Sequence, residues 1–63
     1  MLKVGDEVEL RNGTVMIVTY VGENEVEGFT PDGWVIRPLM RNIVGRTGNH
    51  YDLPITERKG NQL

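Results

Sequence analysis

Glu7-Val8-Glu9-Leu10-Arg11-Asn12-Gly13-Thr14-Val15-Met16-Ile17-Val18-Thr19-Tyr20-Val21 is the stretch that decides the fold. Residues 7 to 11 alternate strictly, so Val8 and Leu10 share one side of a strand while the charged residues share the other. Asn12-Gly13 then breaks the pattern, and the dipeptide predicts a tight two-residue hairpin of type I′, in which both central residues need positive φ. Thr14 to Val21 is the most β-prone run of the chain and is apolar on both sides. Plain alternation places Val15, Ile17 and Val21 with Thr19 on one side, and Met16, Val18 and Tyr20 on the other. A strand of that kind needs cover twice. Either it bends and serves both halves of a small closed sheet, or its second face is covered by a partner or by another copy of the chain.

Outward from this hairpin, turn signals recur at Gly22 to Asn24, Pro31-Asp32-Gly33, Gly45 to Asn49 and Gly60-Asn61, separated by short runs. That spacing predicts an all-β meander. Glu25 to Thr30 is a third strand. Because Val26 and Phe29 cannot both face inward on a regular strand, a bulge is expected at Gly28. In Pro31-Asp32-Gly33, Pro takes the second turn position and Gly the positive φ. Trp34 to Arg37 is a fourth strand with Trp34 and Ile36 on one side, ended or marked as an edge by Pro38. Met40 to Gly45 reads equally as a short strand, a 3₁₀ turn or the arm of a hairpin with its tip at Arg46-Thr47-Gly48-Asn49. His50 to Ile55 reads as the closing strand, with Tyr51, Leu53 and Ile55 on one side.

The expected architecture is all-β: a single small SH3-like barrel, or a strongly bent antiparallel sheet, of about five strands. The domain spans residues 1–56 and a flexible C-terminal tail spans 57–63. Sixty-three residues leave room for one core. The absence of cysteine excludes disulfides and thiolate zinc sites and fits a reducing, cytoplasmic setting. No apolar run is long enough to span a membrane.

The net charge of −2 and isoelectric point near 5.2 weigh against a protein built mainly to neutralise phosphates. The charge is divided unevenly. Residues 1–27 hold two basic and six acidic side chains, a balance of −4, and residues 28–63 hold five basic and three acidic, a balance of +2. Glu23, Glu25 and Glu27, spaced two apart, form either an exposed face or charged edge that discourages sheet-to-sheet aggregation, or an acidic stripe that meets a basic partner surface or imitates nucleic-acid phosphates. Arg37, Arg41 and Arg46 are the basic counterpart.

The segment Val4-Gly5-Asp6-Glu7-Val8-Glu9-Leu10-Arg11-Asn12-Gly13 before a β-branched strand resembles the opening of many small SH3-like barrels. With Tyr51-Asp52-Leu53 it is also similar to short proteins of phages and mobile elements. KOW-type RNA-binding modules share this opening but carry a basic strand-turn-strand, whereas residues 14–27 here contain no lysine and end in acids.

The residues supply little chemistry. His50 is the single histidine, with neither a cysteine nor a spaced carboxylate to form a metal site, so it is expected in a loop or at an edge. No threonine has a base at recognisable spacing, and no glycine-rich turn opens a helix to hold a phosphate. No catalytic residue, metal or cofactor is assigned. The expected function is a non-enzymatic binding module, a protein-binding adaptor or inhibitor of phage or mobile-element type, existing as a monomer or weak homodimer. Its partner-binding residues would be Trp34, Arg37, Met40, Arg41 and Arg46, the mix of aromatic, Met and Arg that interfaces favour. Trp34 is also wanted by a core this small. The alternative is a nucleic-acid-binding barrel using Arg37, Arg41 and Arg46.

Overall fold

A computed structural model describes residues 1–53. They form one antiparallel five-stranded sheet: β1 (Asp6–Leu10), β2 (Val15–Val21), β3 (Val26–Phe29), β4 (Val35–Ile36) and β5 (Ile43–His50). A 3₁₀ turn at Met40–Asn42 precedes β5. The order across the sheet is β4-β3-β2-β1-β5, so the meander runs outward from β1 to β4 and the chain then returns to lay β5 on the far side of β1. The sheet stays open: β4 and β5 are its two edges. Positions 54–56 of the expected domain and the expected tail at 57–63 lie outside the described residues.

The first hairpin is tight but not of the expected type. Among the described residues none other than glycine has positive φ, so Asn12 does not take the left-handed conformation that a type I′ turn demands. Instead the Gly13 amide donates to Leu10 O (2.9 Å) and the Leu10 amide to Thr14 O (2.8 Å), closing a three-residue loop with Gly13 alone at φ +91°. This is a type I turn followed by a left-handed glycine bulge. The Asn12 side chain tightens it by accepting from the Thr14 amide at 2.9 Å. Pro31-Asp32-Gly33 repeats the design as expected, with Gly33 at φ +100° and the Thr30 amide donating to Trp34 O at 2.8 Å.

The core lies on one side of the sheet. Val8, Leu10, Met16, Val18 and Val26 are buried, with Leu2, Val21, Ile36, Met40 and Ile43 packed around them. Here the alternation expected for β2 is overturned at one point. Ile17 pairs with Phe29 and Val18 with Gly28, but Tyr20 then pairs with Glu27 and Val21 with Val26, leaving Thr19 as the extra residue of a bulge. The bulge inverts the side-chain pattern, so Val21 joins the core and Tyr20 moves to the opposite side. Its bend sits on β2, not at Gly28 as expected. Gly28 serves a different need: a Cβ there would run into Ile17 O and lie 2.8 Å from Met16 Cγ. The β2 and β3 backbones can therefore approach only because Gly28 has no side chain. Val26 and Phe29 end on opposite sides, with no bulge to reconcile them.

The weakly patterned segment becomes a cover and an edge. Residues 38–42 run from the β2–β3 turn to the end of β1: Met40 N donates to Asn24 O at 2.8 Å and Arg11 N to Asn42 O at 2.9 Å. Met40 is thereby folded onto the core. The hairpin tip expected at Arg46 to Asn49 does not form, because these residues continue β5 along β1. They depart from regular pairing only in a bulge, where Asp6 pairs with His50 and Val8 with Arg46. The expected closing strand at His50 to Ile55 is likewise displaced over its described residues. β5 ends at His50, and just beyond it Tyr51 is tied back, its amide donating to Gly5 O at 2.8 Å.

Candidate interaction surface

Directly paired residues on neighbouring strands share a side of the sheet. Glu7 pairs with Ile17, Ile17 with Phe29, and Phe29 with Val35, which makes a row running straight across four strands on the side away from the core. Val15, paired with Glu9, widens it. Val15, Ile17 and Phe29 are half-buried, while Val35 is 69% exposed. None of the four belongs to the buried cluster. The β-branched run that forms β2 thus feeds two faces, one consumed by the core and one left as an apolar band about 10 Å long, taking two inter-strand steps from β2 to β4.

Charge surrounds this band. Glu7 ends the row on β1 and Glu9 lies beside Val15, while Glu27 and, by alternation, Glu25 stand on the β3 side. Arg37 is the basic neighbour, and its Nε lies 3.8 Å from Glu27 Oε1. Glu7 accepts from Thr47 Oγ1 (2.6 Å) and Asn49 Nδ2 (2.8 Å), and these bonds, Thr47's first, hold its carboxyl below the usual glutamate range. Glu23, expected on the same face, sits in the turn before β3.

The five residues expected to form one binding surface are spread apart. Trp34 and Arg37 flank β4 at one edge of the sheet, whereas Arg46 belongs to β5 at the other. There Arg46 Nη1 donates to Met1 O at 3.2 Å and lies 3.9 Å from Asp6 Oδ2. Met40 packs on the core, and Arg41 sits in the 3₁₀ turn with its carbonyl accepting from Arg11 Nη2 at 3.0 Å. Trp34 does not enter the core but is 69% exposed. It shares Ile36's side as expected, yet its neighbour across the ladder is Thr30, where the core has already ended. The hydroxyl of Thr30 is engaged with Asp32 Oδ1 at 2.5 Å and accepts from the Trp34 amide at 3.0 Å.

A second polar cluster joins β1 to β5. Asp6 is buried, and its carboxylate accepts from His50 Nδ1 (2.9 Å) and the Lys3 amide (3.0 Å). Asp6, Arg46, Gly48, Asn49 and His50 line a pocket of about 290 Å³ beside it. The pair was not legible in the sequence, since Asp6 and His50 are 44 residues apart and only the return of β5 unites them. Asp6 orients the imidazole; among the described residues no hydroxyl is hydrogen-bonded to its other nitrogen, and Nε2 lies 4.0 Å from the exposed carboxylate of Asp52. Among the described residues no three His, Asp or Glu side chains gather as metal ligands. The cluster acts as a clamp on edge strand β5.

That clamp fixes a pH dependence. The hydrogen bond from His50, followed by that from Lys3, lowers the Asp6 carboxyl below its ordinary value against the opposing effect of burial. A carboxyl held low in the folded state stabilises fully above its unfolded value near about 4, and that contribution is lost as pH falls through the folded value. Thermal melts should therefore hold level down to about pH 5 and decline below it, and Asp6→Asn should flatten that acid limb while lowering the melting temperature at neutral pH. An acid limb unchanged by Asp6→Asn would show that the clamp contributes nothing.

Comparison with protein-family models, with curated proteins and with solved structures finds no match for this chain. Among the described residues no helix is long and apolar enough to cross a membrane.

Proposed function

We propose that this chain is a small, non-enzymatic SH3-like binding module, an adaptor or inhibitor, whose partner is a protein. The SH3-like reading draws support from a five-stranded meander of some fifty residues in which β5 returns to β1 and the long central β2 is bent by a bulge. Protein binding rests on one observation: the apolar band of Val15, Ile17, Phe29 and Val35 lies on the side of the sheet opposite the core and opens at its β4 end, where Val35 is 69% exposed. A domain with so few large apolar side chains that leaves one of them exposed at the end of an apolar band, with Trp34 exposed at the same edge on the other side of the sheet, points to an interaction site. Nucleic acid is disfavoured at this face because Glu7, Glu9, Glu25 and Glu27 line it and Arg37 already sits beside Glu27.

The test is capture of partners from the native cell by the wild-type chain and by Val35→Lys and Trp34→Ala. Both positions are exposed, so both variants should melt within about 1 kcal/mol of wild type. A protein retained by the wild type and lost from Val35→Lys supports the reading. Retention unaffected by both variants, or a captured species that is nucleic acid and dissociates steeply with salt, rejects it.

A further inference from the structure

We infer that the partner presents a cationic amphipathic helix, docked along the row Ile17–Phe29–Val35 with basic side chains reaching the acids on either side. The inference rests on the proposed function's choice of face and adds the chemistry of what binds there. Shape is the first argument. An apolar sheet face is ordinarily covered by a helix or another sheet, and the band from Ile17 to Val35 spans about 10 Å, the length over which a helix presents residues i, i+3 or i+4, and i+7. Val15 gives the band width on one side of the row.

Strand addition at an edge fits less well. Pro38, which has no amide hydrogen, follows the two-residue β4, and β5 departs from regular pairing at two bulges.

Charge is the second argument. Seen along the row, Glu9 lies on one side, Glu25 and Glu27 on the other, and Glu7 at the β1 end. Arg37 lies near Glu27 alone. Glu9 and Glu25 are exposed, with no side-chain partner among the described residues. Glu7 is held ionised by Thr47 and Asn49, which leaves a fixed negative charge at the end of the band. An apolar band flanked by carboxylates on both sides is complementary to a helix whose apolar stripe is flanked by Lys or Arg, and it repels a helix flanked by acids. Such rim charges govern association rate and partner choice more than total affinity. The same pattern opposes self-association, because two copies would bring Glu9, Glu25 and Glu27 against one another across the contact.

The experiment titrates the full chain with a three-turn leucine-lysine amphipathic peptide and with its leucine-glutamate twin, followed by amide chemical shifts. The lysine peptide should bind and move the signals of Val15, Ile17, Phe29 and Val35, and the glutamate peptide should not. The double variant Glu9→Lys/Glu25→Lys, with an unchanged melting temperature, should weaken the lysine peptide about tenfold at low salt, with the difference shrinking as salt screens it. Val35→Lys should abolish binding. The inference is overturned by equal binding of both peptides, by no binding of the lysine peptide, by an affinity indifferent to Glu9→Lys/Glu25→Lys, or by a dimer that Val35→Lys dissociates. If capture of a native protein still depends on Val35 while the peptide results fail, the cationic helix falls and the binding face stands.

Discussion

Gly28→Ala is expected to remove about 3 kcal/mol of stability, a large share of the total for a domain of this size. Gly28 sits on the core side of β3, between Val18 of β2 and Ile36 of β4. An added methyl would strike Ile17 O, lie 2.9 Å from the Ile17 carbonyl carbon, and crowd Met16 Cγ at 2.8 Å. Met16 can shift its side chain, but the Ile17 peptide cannot move without opening the ladder between β2 and β3. The Thr19 bulge lies next to this point and leaves the pairing little slack. At roughly 4–8 °C per kcal/mol in a small domain, the melting temperature should fall by well over 10 °C. A variant melting within a few degrees of wild type would mean that the strands do not approach as closely as described.

Met16→Ala is expected to cost about 2–5 kcal/mol, enough to leave the chain largely unfolded at physiological temperature. Met16 is wholly buried, pairs with Val8 across the β1–β2 ladder, and is the largest of the fully buried side chains. Its neighbours offer poor repair. Val8, Val18 and Val26 are β-branched and stiff at χ1, so they cannot swing into the space left by the thioether. Met16→Leu, which keeps the volume, should cost under about 1.5 kcal/mol. Urea unfolding of the two variants measures the difference directly. Equal costs would show that the loss reflects side-chain chemistry rather than an unfilled cavity.

The all-β class was legible because its signals are local. Val8 and Leu10 alternate with acids, Gly13 and Gly33 mark the turns, and Trp34 and Ile36 share a side as read. What escaped was set by contacts between distant segments. No local pattern reveals that Thr19 is the extra residue of a bulge, because the register of β2 against β3 decides it, and that one residue exchanges Tyr20 for Val21 in the core. Arg46 to Asn49 carry strong turn residues and still continue β5, because Thr47 and Asn49 find a partner in Glu7 while Asp6 binds His50. The expected binding set failed as a single surface for the same reason. Arg37 and Arg46 are nine positions apart yet lie at opposite edges, since the sheet order separates β4 from β5 by three strands. The apolar row, by contrast, was half visible: a strand apolar on both sides had to leave one side for something else.

The most direct test is to compare Ile17→Thr with Val18→Thr, adjacent residues of one strand on opposite sides of the sheet. If the core lies on Val18's side alone and Ile17's side serves a partner, Val18→Thr should lose several times more stability than Ile17→Thr, which should stay within about 1 kcal/mol of wild type and yet fail to retain the partner. Equal loss of stability from the two substitutions would place Ile17 in a second core and leave no free face for anything to dock upon.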